Sequence, residues 1–214
     1  MKRIIPSLAS ADQLHLADEL ERVSFLRELH MDIEDGNFLP NITFGMKTIR
    51  AVSQAWRGAL DVHLLVTNPA IYLDDLADCG VAASSFQIET IPYPLELLHR
   101  IRSLGMKAGV ALNPGTSLDS AAYLAPFADY FLLMCTEPDG RSQVFLPHMP
   151  GRIRACRSML PPDRELWVDG GIGKTQVPLA CQSGADVIIM GRAIFGSDDA
   201  KRFINKILEE FNEG

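Results

Sequence analysis

The sequence is poor in cysteine, in positive charge and in long apolar runs. Its four cysteines are scattered and form no Cys-x-x-Cys pair, so neither a disulfide framework nor a thiolate zinc site is expected. The net charge of −7 argues against a nucleic-acid-binding protein, which would usually be basic. No stretch approaches the roughly 18 consecutive apolar residues that a membrane-spanning helix needs, so no membrane partner is predicted.

The chain also lacks low-complexity tracts, charge blocks and Pro/Gly-rich linkers. A length of 214 residues suits one domain, and we therefore expect residues 1–214 to form a single unit. The opening segment, "MKRIIPSLAS", has an apolar run too short for a signal peptide. The simplest expectation is a cytoplasmic protein.

What recurs along the chain is a short apolar strand, a loop and a helical pattern. Many of the strands are apolar nearly throughout, as in "YFLLM" and "DVIIMG", which is typical of parallel strands covered on both faces. Eight strands are predicted, near residues 3–7, 28–33, 60–66, 83–88, 107–112, 129–134, 165–169 and 186–190.

Capping signals mark several of the helices between these strands. Ser10 is the predicted N-cap of a first helix that spaces Leu14, Leu16 and Leu20 on one side. Asn68 followed by Pro69 predicts a second helix start. Three helices end in a glycine suited to the left-handed C′ conformation, each directly before a strand: Gly80, Gly105 and Gly184.

Eight strand–helix units in 214 residues favour a closed (β/α)₈ TIM barrel, which is an α/β fold. An open doubly wound sheet would usually have a glycine fingerprint after its first strand. Here the first strand is followed by "PSLASAD", which contains no glycine. In a barrel of this kind, function is expected at the carboxyl ends of the strands.

Several predicted strand ends carry ionisable residues where a packed barrel would have Val or Leu. His30 and Asp32 share one face of the second strand, because side chains alternate along a strand. His63 lies on the third strand and Asp169 ends the seventh. Two imidazoles and two carboxylates at one mouth predict a site for one divalent ion, with Zn²⁺, Fe²⁺, Mn²⁺ and Co²⁺ all possible. The alternative for His30 taken alone is a hydrogen-bonded core histidine.

The seventh and eighth strands are followed by glycine-containing loops, "VDGGIG" and "IMGRAIF". In barrels of this kind, the loops after these strands often hold a phosphate group. Gly170, Gly171 and Gly191 would allow backbone N–H groups to approach an anion, and Arg192 would add a charged contact. The plainer alternative is that these glycines only make turns.

Together these residues resemble the ribulose-phosphate 3-epimerase family of ribulose-phosphate-binding barrels. The resemblance runs from the first strand to the eighth and covers essentially the whole chain, with the second-strand motif the most specific. The matching segments are "PSLASAD", "HMDIEDGNFLPNITFG", "LDVHLLV", "GMKAGVALNPGT", "VDGGI" and "GADVIIMGRAIF".

The resemblance implies an isomerase that inverts carbon 3 of a ketose phosphate, usually ribulose 5-phosphate to xylulose 5-phosphate. It implies a homo-oligomer and a divalent metal held by His30, Asp32, His63 and Asp169, with Asp32 and Asp169 also acting as the two acid/base residues. Ser7 matches a serine near the substrate, and the three glycines match phosphate-holding positions. The chemistry is consistent, because a metal would offset the charge of the ene-diolate that forms when the proton beside the ketone is removed.

The sequence departs from the family pattern near the predicted site. Glu34 and Leu65 stand where the family usually has methionine, and Gln87 replaces a histidine, whereas Met134 is kept. The glycine-rich loop after the sixth strand reads "TEPDGRSQ", where Arg141 or Arg192 would supply charge in place of backbone contacts. The alternative for Arg141 is a solvated loop residue. Because the departures surround an intact metal and acid/base set, we expect a paralogue acting on a related pentulose or hexulose phosphate, with Glu34 in contact with substrate. The alternative is that Glu34 turns away into solvent where the strand ends, since Asp35-Gly36 predicts a turn.

Two other functions remain open from the sequence. The first alternative is another phosphate-binding barrel, such as a decarboxylase or an aldolase. An aldolase would need a Schiff-base lysine at a strand end, but Lys107 begins the fifth strand and Lys174 follows the glycine loop. A sugar-phosphate-binding barrel without turnover is the second alternative, supported by Gln87 and the altered loop.

Overall fold

The computed structural model describes residues 2–138 and 143–212, and its eight strands form one parallel sheet. The strands are β1 (Arg3–Pro6), β2 (Glu28–Glu34), β3 (Ala59–Leu65), β4 (Ala83–Gln87), β5 (Lys107–Leu112), β6 (Tyr130–Met134), β7 (Glu165–Asp169) and β8 (Val187–Met190). They pair in the order β1-β8-β7-β6-β5-β4-β3-β2, and a parallel bridge between Ser7 and His30 brings β1 against β2. The predicted (β/α)₈ barrel is confirmed.

Helices connect the strands on the outside of the barrel. They are α1 (Leu16–Arg22), α2 (Met46–Ala55), α3 (Leu73–Asp78), α4 (Pro94–Ser103), α5 (Asp119–Ala122), α6 (Met149–Met159), α7 (Gln176–Gln182), α8 (Arg192–Phe195) and α9 (Ala200–Asn212). Short 3₁₀ turns occupy Leu8–Ser10, Pro69–Tyr72 and Ile88–Thr90. None of the helices within the described ranges is long and apolar enough to cross a membrane. The expected single domain is not tested by these features and stays a prediction.

The predicted start of the first helix is wrong. Helix α1 begins at Leu16, and Ser10 instead ends the first 3₁₀ turn. Between them, the Asp12 carboxylate accepts the backbone N–H of Leu14 at 2.9 Å and makes a local turn. Leu14 therefore precedes the helix and is 88% exposed, whereas Leu20 is buried as expected.

The second predicted start is partly confirmed. Pro69 occupies the first position of a 3₁₀ turn rather than of an α-helix, and α3 begins only at Leu73. Asn68 precedes the turn but its side chain makes no capping hydrogen bond to the described residues. The short turn tightens the backbone before the helix, as 3₁₀ segments commonly do at helix ends.

The three helix-to-strand glycines adopt the predicted left-handed conformation. The φ angles of Gly80, Gly105 and Gly184 are 71°, 85° and 110°. Each of the three backbone N–H groups bonds a carbonyl of the preceding turn, so the chain reverses tightly into the next strand.

The barrel has apolar packing on both sides of its sheet. Met31 and Ile33 of β2 belong to the large cluster between strands and helices, as the alternation predicts. A smaller cluster fills the interior and consists of Ile5, Ala83, Ala111, Tyr130, Leu132, Trp167, Val187 and Ile189. The interior cluster leaves the carboxyl ends of the strands to polar residues.

All four cysteines are free thiols, as expected from their scatter along the sequence.

Candidate active site

Strands β2, β3 and β7 bring four ionisable side chains together inside the barrel. His30 and His63 are fully buried, and Asp32 is 6% exposed. Their strands pair so that Asp32 lies beside His63 in the register, while Asp169 ends β7 across the barrel. One donor atom from each of the four residues lies within 4.8 Å of the others. The alternation of β2 therefore delivers both of its polar residues to a common centre.

The contacts within this cluster are short and polar. His30 Nε2 lies 3.1 Å from Asp32 Oδ1 and 4.0 Å from Asp169 Oδ2. His63 Nδ1 lies 3.4 Å from the same Asp32 oxygen, outside hydrogen-bonding geometry. The Ser7 hydroxyl donates to the other oxygen, Asp32 Oδ2, at 3.0 Å. One oxygen of Asp32 thus faces both imidazoles, and the second is held by Ser7.

The donor set fits a divalent metal ion. Both ring nitrogens of His63 are buried and have no hydrogen-bond partner among the described residues. A buried polar atom without a partner is costly, and an ion that accepts a nitrogen lone pair removes part of that cost. Two imidazoles and two carboxylates, without thiolate, suit Zn²⁺, Fe²⁺, Mn²⁺ or Co²⁺. The cluster can therefore hold one divalent ion, and its donors suit any of these four.

The carboxyl groups at the site differ in their affinity for protons. Burial disfavours the charged form of Asp32, but the adjacent His30 and His63 outweigh it and hold the pKa of Asp32 well below its usual range. Burial, with the charge of Asp32, raises the pKa of Asp169 to about 6. Burial and the same charge raise the pKa of Glu34 to about 7. Two carboxyl groups with pKa values pushed apart are typical of acid/base pairs.

A cavity of about 260 Å³ opens above this cluster at the carboxyl ends of the strands. Ten residues that the sequence singled out, either as site residues or as departures from the family pattern, line this cavity. They are Ser7, Asp32, Glu34, Leu65, Met134, Asp169, Gly170, Gly171, Gly191 and Arg192. His30 and His63 lie beneath it with no exposure. Arg141 lies outside the described residues. The sequence thus identified most of the polar lining, although the roles of these residues stay predictions.

The glycine loops form one wall of the cavity. Gly170 and Gly171 have φ angles of 98° and 66°, which disfavour any residue with a Cβ atom. A Cβ atom on Gly171 would lie 2.5 Å from the backbone nitrogen of Phe145, and one on Gly191 would overlap the Ser10 hydroxyl. Gly171 is therefore needed for close packing against the backbone of residues 143–145, and Gly191 for close packing against the Ser10 side chain.

Arg192 ties two loops together at the same wall. Its Nη2 donates to the backbone carbonyl of Gln143 at 2.6 Å. Gln143 has a positive φ of 44° and also lines the cavity. The guanidinium therefore lies at the cavity edge and positions the segment that returns from β6.

Glu34 also lines the cavity, at the end of β2. Its Oε2 accepts a hydrogen bond from Asn41 Nδ2 at 2.6 Å, and its backbone N–H donates to Thr43 Oγ1 at 3.1 Å. The Thr43 hydroxyl in turn donates to the backbone carbonyl of Asp32 at 2.5 Å. The carboxylate is thus held at the cavity wall rather than turned out into solvent.

Sequence reasoning missed a buried partner of His30 and the tyrosine that holds that partner. Asp61 Oδ2 is in hydrogen-bond contact with His30 Nδ1, and Tyr130 donates its hydroxyl proton to Asp61 Oδ1 at 2.8 Å. Alternation along β3 puts Asp61 on the His63 face, but nothing local connects it to His30. The connection depends on the β2–β3 register, in which His30 pairs with Asp61.

Three residues that bear on the alternatives are absent from the cavity lining. Gln87 is fully buried and donates from Nε2 to Asn113 Oδ1 at 2.8 Å. Lys107 begins β5, at the barrel end opposite the site. Lys174 is not among the residues that line the cavity. A Schiff-base lysine therefore has no support at this site.

Known proteins resemble the chain over nearly its full length. The model of the ribulose-phosphate 3-epimerase family matches residues 3–195. A ribulose-phosphate 3-epimerase of Methanocaldococcus jannaschii is 35% identical over 98% of this chain and 91% of its own length. The ribulose-phosphate 3-epimerase, cytoplasmic isoform, of Oryza sativa subsp. japonica is 36% identical over 96% of this chain and 92% of its own length.

Solved structures support the same architecture. A mutant tryptophan synthase alpha-subunit from Pyrococcus furiosus superposes with a TM-score of 0.72 at 13% identity, over 98% of both chains. An orotidine 5'-phosphate decarboxylase from Pyrococcus horikoshii gives 0.67 at 15% identity, over 98% of this chain and 99% of its own. At such identities the likeness concerns the fold alone. The sequence relatives and the family model carry the assignment, and the chain belongs to the ribulose-phosphate 3-epimerase family of isomerases.

Proposed function

We propose that this protein is a metal-dependent 3-epimerase of a ketose phosphate. Its substrate is the ribulose 5-phosphate/xylulose 5-phosphate pair or a related pentulose or hexulose phosphate. The proposal rests chiefly on one observation: Asp32 and Asp169 line the same cavity above two buried histidines, and their pKa values are displaced in opposite directions. Inversion at carbon 3 needs one group to remove a proton and another to return it.

The chemistry divides between the two carboxyl groups. Asp32, in its charged form, accepts the proton of carbon 3 on one face of the substrate. The electron pair of that C–H bond becomes the carbon–carbon double bond of the ene-diolate, and the ketone oxygen gains the charge. Asp169, in its protonated form, donates to carbon 3 on the other face, and the ketone re-forms. In the reverse direction the two groups exchange roles.

His30, Asp32, His63 and Asp169 would hold the divalent ion. When bound, the ion supplies electrostatic stabilisation of the negative charge that develops on the substrate oxygens. Ser7 orients Asp32 through the 3.0 Å hydrogen bond to Oδ2. The apolar side chains of Leu65 and Met134 line the cavity and exclude water from the reacting carbon.

The glycine wall is the proposed phosphate site. Gly170, Gly171 and Gly191 let the backbone approach an anion, and Arg192 brings positive charge to the cavity edge. Glu34, which also lines the cavity, would accept a hydrogen bond from a substrate hydroxyl. We therefore expect a ketose phosphate whose hydroxyl pattern exploits this additional acceptor.

Deuterium exchange tests the reaction and the substrate together. The protein is loaded with Zn²⁺, Fe²⁺, Mn²⁺ or Co²⁺ and incubated in D₂O with ribulose 5-phosphate, allulose 6-phosphate and other ketose phosphates. We expect deuterium at carbon 3 and formation of the 3-epimer, both dependent on the ion. The same panel, measured as kcat/KM, ranks the substrates.

Two outcomes would contradict parts of this proposal. A clear preference for ribulose 5-phosphate would contradict the idea that the altered site serves a related substrate. An absence of exchange with every ketose phosphate and every ion would contradict the epimerase itself and favour a sugar-phosphate-binding barrel without turnover.

A further inference from the structure

A carboxylate lies beneath the proposed ion site, on the side away from the cavity. Asp61 is 4% exposed, and its hydrogen-bond partners among the described residues are His30 Nδ1 and the Tyr130 hydroxyl. No ion pair with lysine or arginine is found for it in the described part of the chain. Burying a carboxylate is costly unless a partner offsets the charge. The partner here is the imidazole of His30.

Tyr130, the second partner of Asp61, is packed into the barrel interior. Tyr130 is fully buried, and its ring stacks on Trp167 with centroids 4.2 Å apart and planes inclined by 25°. A Cβ atom on Gly109 would overlap the Tyr130 ring, so glycine in β5 makes room for it. The tyrosine hydroxyl is thereby held against Asp61 Oδ1, while Asp61 Oδ2 remains on His30.

The arrangement determines which nitrogen of His30 faces the centre. Because Nδ1 is engaged by Asp61, Nε2 points to Asp32 and Asp169. With an ion bound, Nδ1 carries the proton, and its donation to a carboxylate increases the electron density available at Nε2. His63 has no such support, because neither of its nitrogens has a hydrogen-bond partner among the described residues.

We propose that Asp61 and Tyr130 are positioning residues for the divalent ion, acting through His30. Asp61 fixes the tautomer and orientation of His30 and strengthens Nε2 as a donor, and Tyr130 holds Asp61 in place. His30 is then the anchored nitrogen ligand, and His63 is the adjustable one. The inference rests on the ion site of the proposed function, but it concerns residues that touch neither ion nor substrate.

Asp61→Asn tests whether the negative charge of Asp61, rather than the shape of its side chain, supports ion binding. The amide keeps an oxygen that can accept from His30 and a volume close to that of the carboxylate, but it removes the negative charge. Glu165→Gln is the matched control. Glu165 accepts from Trp167 Nε1 at 3.0 Å and from Arg3 at 2.8 Å, at the far end of the same barrel interior.

The measurement is the affinity of the ion-free protein for Co²⁺ and for Zn²⁺, by titration against a chromophoric chelator. Asp61→Asn should raise the dissociation constants by about 10- to 100-fold, the usual effect of losing such a partner. Glu165→Gln should leave them unchanged, although it lowers the unfolding temperature. Tyr130→Phe, which keeps the ring on Trp167, should raise them by less than Asp61→Asn and serves if that variant does not fold.

Wild-type affinity in Asp61→Asn, or in Tyr130→Phe where only that variant folds, would overturn the inference. An equal loss of affinity in Glu165→Gln would also overturn it, because the effect would then be a general loosening of the barrel. Failure of the wild-type protein to bind either ion would count against the proposed function instead, so the two failures are distinguishable.

Discussion

At the scale of single residues, the environment gives similar carboxyl groups different properties. Asp32 lies between two imidazoles, which favour its charged form, whereas Asp169 lies among buried atoms beside the Asp32 charge. The two side chains belong to different strands and approach the centre from different sides of the barrel. This asymmetry suits a reaction in which one group begins as a base and the other as an acid.

Removing either carboxyl group should slow inversion strongly without stopping all proton transfer. With the ion at saturating concentration, we expect Asp169→Asn and Asp32→Asn to lower the epimerisation rate by roughly 10²- to 10⁴-fold, the usual contribution of a general acid or base. Each variant should still exchange the carbon-3 proton of one epimer, because the remaining base faces that epimer only. Nuclear magnetic resonance of each epimer in D₂O measures this, and equal loss of exchange from both epimers would contradict the assignment.

Glu34 should control substrate choice more than ion binding. Its carboxylate is held at the cavity wall by Asn41, 2.6 Å away, and makes no hydrogen bond to either histidine among the described residues. We expect Glu34→Met to change the ratio of kcat/KM values between ketose phosphates by about 10-fold, the effect of one lost hydrogen bond to a charged group. Glu34→Gln, which keeps the size and an acceptor oxygen, is the control and should change the ratio less. An unchanged ratio in Glu34→Met would mean that Glu34 does not contact substrate.

At the scale of elements, the conformation of the loop after β7 depends on its glycines. Gly171 and Gly80 have nearly the same φ, 66° and 71°, but different surroundings. A Cβ atom on Gly171 would meet backbone atoms of residues 143–145, whereas one on Gly80 would meet nothing within 4 Å. An alanine at Gly80 would therefore introduce only the strain of a left-handed residue, whereas an alanine at Gly171 would also displace the cavity wall.

We expect Gly80→Ala to cost about 1 to 2 kcal/mol of unfolding free energy and to leave KM unchanged, because only the left-handed conformation is penalised. Gly171→Ala should destabilise by more than this, and it should also raise KM for the ketose phosphate, because the loop carrying Gln143 must move. Denaturant unfolding and steady-state kinetics measure the two effects. Equal KM values in both variants would contradict a role of this wall in phosphate binding.

At the scale of the whole molecule, the ion should add stability without being needed for the fold. The barrel has an apolar layer outside its sheet and another inside it, neither of which depends on the ion cluster. An ion that binds only the native state at 100 times its dissociation constant contributes about 2.7 kcal/mol. For a chain of this length, that corresponds to a rise in unfolding temperature of about 5 to 10 °C.

Chelation should therefore abolish epimerisation but leave the circular dichroism of the barrel in place at 25 °C. Thermal unfolding with and without Co²⁺ measures the stabilisation, and His63→Ala, which removes one proposed ligand, should lose most of it. Full activity after removal of the ion by a chelator, or an unfolding temperature that is the same with and without the ion, would contradict the proposed site.

Much of the architecture was predictable because parallel strands covered on both faces are apolar nearly throughout. The third strand was predicted at 60–66 and is Ala59–Leu65, and the seventh was predicted at 165–169 and is Glu165–Asp169. The start of α1 was not predictable from Ser10, because the turn around Asp12 competes with a helix there. Local capping patterns are ambiguous where several short polar side chains follow one another.

The sequence alone determined which residues share a face, because alternation along a strand is local and has a period of two. It was sufficient to place His30 and Asp32 inside the barrel and to indicate the glycine wall. Only the tertiary structure decided which side chains meet, because that depends on register and on closure of the barrel. His30 meets Asp61 from 31 positions away, and Asp61 meets Tyr130 from 69 positions away. These long-range contacts, rather than any local motif, connect the proposed ion site to the interior of the barrel.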